Sequence, residues 1–316
     1  MTGAKILAFG GYQPDKVVTN DDLAKLVDTS DEWIRSRVGI ESRRVAADDE
    51  TVTDMAEAAG AKALAASGLA PSAIDLVIVA TCSPLVPMPS VSAIVAHRLG
   101  IVAPGAFDLN AACAGFCYAM GTASNAIAAG SARNVLVIGS EKMTSWVDWT
   151  DRSTCIIFAD GAGAAVLGPS DEGEPAGIGP VVWGSAGDQG DKITVTGRTG
   201  SMRQDGQAVF RWATTAMAPV ALEACRRAGV TPADITAFVP HQANLRIVEA
   251  IARRLGIPRE RVADDIVHAG NTSSASIPLA LVDAIEEGRL REGHHVLLTG
   301  FGGGMTWASA VLRWGG

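Results

Sequence analysis

A chain of 316 residues, 48% hydrophobic and 19% charged, is long enough to bury one large duplicated core or two ordinary ones. Its net charge of −8 argues against nucleic acid as the main partner, and no apolar run reaches the ~18 residues of a membrane-spanning helix. The five cysteines form no CxxC pair and sit among apolar neighbours, and the first residues lack the apolar length of a signal peptide. Reduced thiols in a cytoplasmic protein are therefore expected.

In chain order, residues 6–11 read as a first strand, and Asn20-Asp21-Asp22 opens a helix to about Val27. Ser30-Asp31-Glu32-Trp33 opens a second helix with acid in its first turn, as the helix dipole prefers. Arg35, Arg37, Arg43 and Arg44 follow as a local basic cluster. An Ala-rich helix over 51–67 is closed by Gly68, residues 74–80 form a buried strand, and a helix over 91–99 stops at Gly100. Phe107-Asp108-Leu109 ends another buried strand, and an apolar helix follows with Cys113 at the junction. A further helix runs to Ala129 before the strand 135–139. A thiol at a helix N-terminus feels the positive end of the dipole, which favours thiolate and lowers its pKa. The free N–H groups of that turn can also receive an oxyanion. Equally, a free Cys is commonly just a small core residue. Both readings of Cys113 stand on this stretch alone.

The second half repeats the first. ALAASGLAPSAIDLVIVA (63–80) aligns with ALEACRRAGVTPADITAFVP (221–240), so that Gly68, Pro71 and Ile74 match Gly229, Pro232 and Ile235, each 161 positions on. VAHRLGI is echoed by IARRLGI, and Gly139 by Gly300. Each unit reads β-α-β-α-α-β, and the Gly-, Pro- and acid-rich stretch from the 160s to the 190s reads as the connector. Strand ends that coincide under the repeat share one face. His241 then faces Cys113, Asn271 becomes the counterpart of Cys113 at an offset of 158, and Gly302 to Gly304 close the group. His241 and Asn271 read either as structural residues or as hydrogen-bond donors to a thioester oxygen. No Lys-Ser/Thr follows the glycines, so a P-loop is excluded; no GxGxxG sits in a dinucleotide-binding context and no metal-ligand spacing occurs.

AACAGF at 111–116, PHQAN at 240–244, GNTSSASIP at 270–278 and GFGGG at 300–304 together resemble the β-ketoacyl-acyl-carrier-protein synthase III family of the thiolase superfamily. SDEWIRSRVGI at 30–40 and DRSTCIIFADGAGAAV at 151–166 extend the resemblance to nearly the whole chain. It implies an α/β, thiolase-like, duplicated αβαβα five-layer fold in a homodimer, with a nucleophile half at 1–170 and a His/Asn half at 171–316. It implies a ping-pong decarboxylating Claisen condensation without cofactor or metal. Cys113 takes an acyl group from a short acyl-CoA, and the N–H groups of Cys113 and Gly303 hold the oxyanion. Malonyl-acyl-carrier protein then enters, and His241 and Asn271 hold its thioester oxygen as CO2 leaves, with Phe301 crowding the carboxylate. A neutral His241 serves as donor. Trp33 and Arg152 match an adenine-stacking pair, with Arg37, Gly206 and Asn244 in matching CoA-binding segments. An acidic carrier protein needs a local basic face, for which Arg211, Arg246, Arg253 and Arg254 are the candidates. Met88 stands where many members carry Phe, in a segment that reaches into the partner's acyl pocket, and implies a tolerant primer site. The pocket segment 184–210 is expected to line the CoA entrance. The alternatives are a priming ketosynthase of a polyketide or other specialised pathway, an acyl transferase using the same acyl-Cys113, and a non-catalytic carrier-binding module.

Overall fold

The computed structural model describes residues 3–171, 173–197 and 200–315; Glu172 of the expected connector and Arg198 and Thr199 of the expected entrance segment lie outside them. The first half runs β1 (Ala4–Tyr12), β2 (Lys16–Thr19), α1 (Asn20–Ala24), α2 (Asp31–Val38), β3 (Ser42–Val45), α3 (Val52–Ser67), β4 (Leu76–Ala80), α4 (Val91–Arg98), β5 (Gly105–Leu109), α5 (Gly115–Ala128), β6 (Val135–Lys142), α6 (Arg152–Cys155) and β7 (Asp160–Pro169). The second runs β8 (Val182–Ser185), β9 (Ile193–Val195), β10 (Met202–Gln204), α7 (Gly206–Arg227), β11 (Ile235–Pro240), α8 (Leu245–Leu255), α9 (Ile266–Ala269), α10 (Ser276–Glu286), β12 (His295–Gly302) and β13 (Thr306–Arg313).

Local chemistry sets the ends of these elements. Ser30 and Thr51 cap α2 and α3 with their hydroxyls, and Gly39 and Gly68 close them in the left-handed conformation. α1 is capped one residue earlier than expected, by Thr19, which forms a capping box with Asp22. Asn20 is instead buried, holding the Arg43 guanidinium through Oδ1 at 2.9 Å. Arg43 thus leaves the expected basic cluster: it is fully buried, and burial pulls it down to about 10.

The main sheets repeat one another. The first is ordered β1-β7-β6-β4-β5 and the second β8-β13-β12-β11. β4 and β6 run parallel and β6 and β7 antiparallel, as do β11 with β12 and β12 with β13. The counterpart of β5 shrinks to a single parallel bridge between Phe238 and Val262. The strand read at Phe107-Asp108-Leu109 is β5, which the β-α-β-α-α-β unit leaves out; it is a half-exposed edge strand rather than a buried one, and one helix, α5, fills the stretch read as two. The connector is also shorter than expected, because Asp160–Pro169 is a buried strand and Val182–Ser185 pairs with β13.

Strand parity distributes the core. On β6, Val135 and Val137 face α5 and α10, while Leu136 and Ile138 face α3 and α4. On β12, Val296 and Leu298 face the same central helices, while Leu297 and Phe301 face α7 and α8. Each such fully buried aliphatic side chain contributes roughly 1.5–3 kcal/mol. The layers are therefore α3/α4, sheet, α5/α10, sheet, α7/α8, which is the αβαβα arrangement. A fourth cluster of Ile34, Val38, Trp146, Ile156 and Phe158 caps the first half and carries Trp33 to the rim of the site.

Candidate active site

The parallel strands β4 and β11 end on one face, and the central helices α5 and α10 begin there. Ligands of α/β sheets gather at such carboxyl ends, and two helix N-termini aim at the same volume. The volume is a cavity of about 1280 Å³ whose walls include Cys113, His241, Asn271, Phe301 and Gly303.

Cys113 sits in a tight turn, Ala112–Ala114, that leads into α5. Ala112 holds a φ of 46°, stabilised by the Asn110 side-chain oxygen, which accepts the Ala112 N–H at 3.1 Å. That kink presents the half-buried Cys113 sulfur to the cavity. The N–H groups of Cys113 itself and of Gly303 lie within hydrogen-bond reach of the sulfur. A Cβ at Gly302 would fall 2.7 Å from the Cys113 Cβ and 2.9 Å from its Sγ, so glycine is needed for the loop to approach this closely. The expected low thiol pKa is overturned: burial pushes Cys113 up to about 11, outweighing its hydrogen bonds to Ser273 and to the two N–H groups.

His241 is 2% exposed and begins the loop after β11. Its Nδ1 lies 2.7 Å from the Ser276 hydroxyl, whose oxygen also accepts the Gln242 N–H at 3.3 Å. With no other acceptor for the Ser276 hydroxyl among the described residues, Ser276 donates to Nδ1, and Nε2 carries the imidazole proton. Desolvation lowers His241 to about 3, so the ring is neutral. Phe301 packs edge-on against it, with ring centroids 5.3 Å apart. Gln242 is fully buried and ties this loop down, donating to the Pro240 carbonyl at 2.8 Å and accepting from the Ile266 N–H at 3.2 Å.

Asn271 is held by its backbone between Ile157 and Ala159, with both bonds at 2.9 Å. Its Oδ1 accepts the Ser273 N–H at 2.9 Å, which leaves the NH2 group for the cavity. This turn reproduces the one before α5: Asn110 and Asn271 make the same side-chain bond, and Ala112 and Ser273 share a left-handed φ, 46° and 51°. The repeat offset is therefore 161 here, as at Gly68/Gly229 and Gly139/Gly300. The counterpart of Cys113 is Ser274, and that of Asn271 is Asn110; the expected pairing of Cys113 with Asn271 is overturned.

At the rim, the Arg152 guanidinium lies over the Trp33 ring at 4.6 Å from its centroid, with Arg37 at 5.5 Å. Gly206 and Asn244 also line the opening. The Asn244 amide, however, already caps α8 through the Arg246 N–H at 2.9 Å and donates to the Arg37 carbonyl at 3.3 Å. Ile193, Val195 and Met202 of the β9–β10 hairpin form part of the same wall. Of the basic candidates, Arg211 and Arg246 border the mouth, whereas Arg253 and Arg254 lie exposed in the last turn of α8 and do not line it. Met88 does not line this chain's own cavity either; it is 81% exposed on the 84–89 loop.

Glu141 escaped the motif reading. It is fully buried on β6, with no Lys or Arg partner among the described residues. Its carboxylate accepts from the hydroxyls of Thr81 (3.1 Å), Ser83 (2.5 Å), Ser273 (3.0 Å) and Ser274 (2.9 Å), and from the N–H groups of Cys82 and Ser83, both at 3.1 Å. Only tertiary contact of β6 with the loop after β4 and the turn before α10 creates this knot. The one sequence signal was the repeat, which pairs Glu141 with Gly302.

All five cysteines are free, and no group of three or more His, Cys, Asp or Glu side chains is placed to hold a metal ion among the described residues. No helix among the described residues is long and apolar enough to cross a membrane.

Comparisons with known proteins converge on one family. The model of 3-oxoacyl-[acyl-carrier-protein] synthase III matches residues 107–187, and the model of its C-terminal part matches 225–314. Beta-ketoacyl-[acyl-carrier-protein] synthase III 2 of Streptomyces avermitilis is 52% identical over 313 residues, 99% of either chain. The crystal structure of 3-oxoacyl-[acyl-carrier-protein] synthase III from Aquifex aeolicus superposes with a TM-score of 0.94 at 43% identity, over 99% of this chain and 100% of that one. The priming β-ketosynthase from the R1128 polyketide biosynthetic pathway gives a TM-score of 0.95 at 42% identity, over 99% and 96% of the two chains. The chain belongs to the 3-oxoacyl-[acyl-carrier-protein] synthase III family and is a thiolase-fold acyltransferase.

Proposed function

We propose that the chain joins a short acyl-CoA primer to malonyl-acyl-carrier protein with loss of CO2, giving 3-ketoacyl-acyl-carrier protein and opening a round of fatty-acid synthesis. The observation that carries this is one cavity wall holding a thiol, two N–H donors within reach of its sulfur, and two neutral side-chain donors, His241 and Asn271. Cys113 attacks the primer thioester, and its own N–H and that of Gly303 hold the oxyanion. CoA leaves, and the malonyl thioester takes its place. His241 Nε2–H and the Asn271 NH2 then hold the enolate oxygen as the carboxylate departs, which lowers the barrier through fixed donors with no metal or cofactor required. Phe301, buried beside His241, crowds the carboxylate. The carbanion attacks acyl-Cys113, and a carbon–carbon bond replaces the carbon–sulfur bond. A neutral imidazole suits this work: it donates without needing to take a proton.

The Trp33–Arg152 platform and Arg37 favour a CoA nucleotide at the rim, with Gly206 and Asn244 shaping the passage. Arg246 and Arg211 at the mouth, with Arg253 and Arg254 further along the surface, receive the acidic carrier protein. A homodimer is favoured by exposed Phe107 on β5, the open edge of its sheet, together with exposed Val86, Met88 and Val102. There Met88 of one protomer borders the partner's acyl pocket. Residues 1–170 then supply the nucleophile and 171–316 its donors, in a cytoplasmic enzyme.

The test is to mix enzyme, acyl-CoA and malonyl-carrier protein and follow product and CO2 together. Equal yields of 3-ketoacyl product and CO2 are expected; an ester or amide formed without CO2 contradicts the reading. The similarity to a priming ketosynthase favours a second reading, the same chemistry in a polyketide pathway. A primer panel tests the primer site in either pathway: a steady fall in kcat/KM from acetyl- through isobutyryl- to hexanoyl-CoA removes the tolerant pocket attributed to Met88.

A further inference from the structure

The platform at the rim is built from two elements far apart in the chain. Trp33 stands on α2 and Arg152 opens α6, with the guanidinium 4.6 Å from the ring centroid. At the surface one strap joins them, the bond from Arg152 Nη1 to the Asp28 carbonyl at 2.6 Å. α6 is four residues long and has little helix of its own to fix it. Ile34 and Val38 of α2 share a cluster with Cys155 and Ile156, but apolar packing is non-directional.

The directional contacts are buried. Asn20 is 1% exposed and Arg43 fully buried. The Asn20 NH2 donates to Asp31 Oδ1 and to the Ile40 carbonyl, both at 2.8 Å, and so grips α2 at its first residue and just past its last. Its Oδ1 accepts from Arg43 Nη1 at 2.9 Å. The other arm of the guanidinium, Nη2, donates to the carbonyl of Ile156, the residue that caps the end of α6, also at 2.9 Å. Nη1 reaches the Val18 carbonyl of β2 at 3.3 Å. An unbroken path of hydrogen bonds thus runs from both ends of α2, through two buried side chains, to the C-terminus of α6. The path uses both donors and the acceptor of one amide, and the planar fork of one guanidinium.

Arg43 is a costly way to hold a fold. Its acceptors are three neutral oxygens, and its Nε has no partner among the described residues. Replacing a buried charge by a well-packed apolar side chain is often neutral or stabilising, so direction rather than stability is what this cation supplies.

We propose that Asn20 and Arg43 are positioning residues for the acyl-CoA step, which set the spacing of Trp33 and Arg152 and through it the grip on the CoA nucleotide. This rests on the reading of the rim as the CoA nucleotide site. Neither residue lines the cavity, so each acts through the platform. Arg43 also borders the backbone of Asn271. A Cβ at Gly270 would fall 3.0 Å from the Arg43 Cβ, and the Asn271 N–H bonds the Ile157 carbonyl at 2.9 Å. The test separates these two roles.

It measures acyl loading of Cys113 from acetyl-CoA and from acetyl-pantetheine, the same thioester without the nucleotide, together with CO2 release from malonyl-carrier protein. The variants are Asn20→Ala, Arg43→Met, Asp31→Ala, Arg35→Ala and Trp33→Ala. In Asn20→Ala and Arg43→Met, KM for acetyl-CoA should rise about tenfold, the scale of a displaced cation–ring contact, while the loading kcat, KM for acetyl-pantetheine and CO2 release stay within about twofold. Asp31→Ala cuts the same path at a half-exposed side chain and should raise KM for acetyl-CoA about threefold; Arg35→Ala, which removes only the other partner of Asp31, should not. If the two buried variants fail to fold, that pair decides alone, and equal KM values for it overturn the proposal. Equal losses with both thioesters overturn it as well, since the pair is then merely structural. So does a fall in CO2 release with loading intact, which places Arg43 behind Asn271. A wild type that uses both thioesters equally well, or a Trp33→Ala that keeps the wild-type preference, overturns the CoA site at the rim and the proposal with it. A Trp33→Ala that loses the preference while Asn20→Ala and Arg43→Met keep it overturns the proposal only.

Discussion

The turns before α5 and α10 share a backbone and differ in what is set opposite them. Each begins with an Asn whose side chain accepts the N–H two residues on, and each kinks through a left-handed residue, Ala112 or Ser273. Opposite the first stands Gly302, and the cavity opens beside Cys113. Opposite the second stands Glu141, whose carboxylate ties Ser273 and Ser274 in place. One copy of a duplicated turn is thus kept open for chemistry, while the other is filled with hydrogen bonds and holds Asn271 still. The lesson is that the asymmetry of the site comes from Gly302 and Glu141 on equivalent strands together with the exchange of Cys113 for Ser274 within the turns.

The largest effect should come from emptying the open turn. Cys113→Ala is expected to cut condensation by more than about 10³-fold, with little change in thermal stability because the side chain is half-buried. Next, His241→Ala or Asn271→Ala should lower CO2 release from malonyl-carrier protein by about 10²–10³-fold while acyl loading from CoA survives; a parallel loss of both half-reactions, measured separately, would contradict the division of labour. Filling the open turn is third. Gly302→Ala places a Cβ against the Cys113 sulfur and should slow acyl loading by about 10²-fold, the usual result of displacing a reacting atom by an ångström.

Two smaller effects sharpen the comparison electrostatically. His241 is lowered to about 3 against an ordinary value of ~6.5, so CO2 release should show no inflection near pH 6.5. Between those values the unfolded chain binds a proton that the native ring refuses, so stability falls as pH drops from 6.5 toward 3. Asp265, just before α9, works the other way: burial pushes it up to about 7, and its Oδ2 has no partner. The native state therefore holds a proton that the unfolded chain gives up near pH 4, and stability is lost as pH rises toward 7. The melting-temperature gain of Asp265→Asn over wild type should accordingly grow from pH 5 to pH 8; a constant difference would remove the buried acid from this account. The smallest effect is at the mouth. Arg246→Glu should raise KM for the carrier protein by about tenfold, or ~1.4 kcal/mol, and leave acylation by CoA intact.

Much of this was legible in the chain because it rests on local rules. Gly68 and Gly229 end helices in the left-handed conformation, and their fixed spacing announces the duplication. Cys113, His241 and Asn271 are placed by motifs that persist in the fold. What could not be read depends on distant contact. The Cys113 thiol is pushed up by burial among side chains from both halves, which its place at a helix start does not announce. Glu141 looks like one more polar residue until β6 lies beside Ser273. Asn244 sits in a segment that resembles a CoA-binding one, yet its amide NH2 donates to the Arg37 carbonyl at the far end of α2, a contact only the fold creates. Met88 lies outside its own cavity, so its role is decided by a second copy rather than by this chain.

The most direct measurement is to incubate the wild type with a short acyl-CoA, map the modified peptide, and then add malonyl-carrier protein. One acyl group on Cys113, discharged with one CO2 per group released, is the expected result. An adduct elsewhere, none at all, or discharge without CO2 would contradict the open turn as the seat of the reaction.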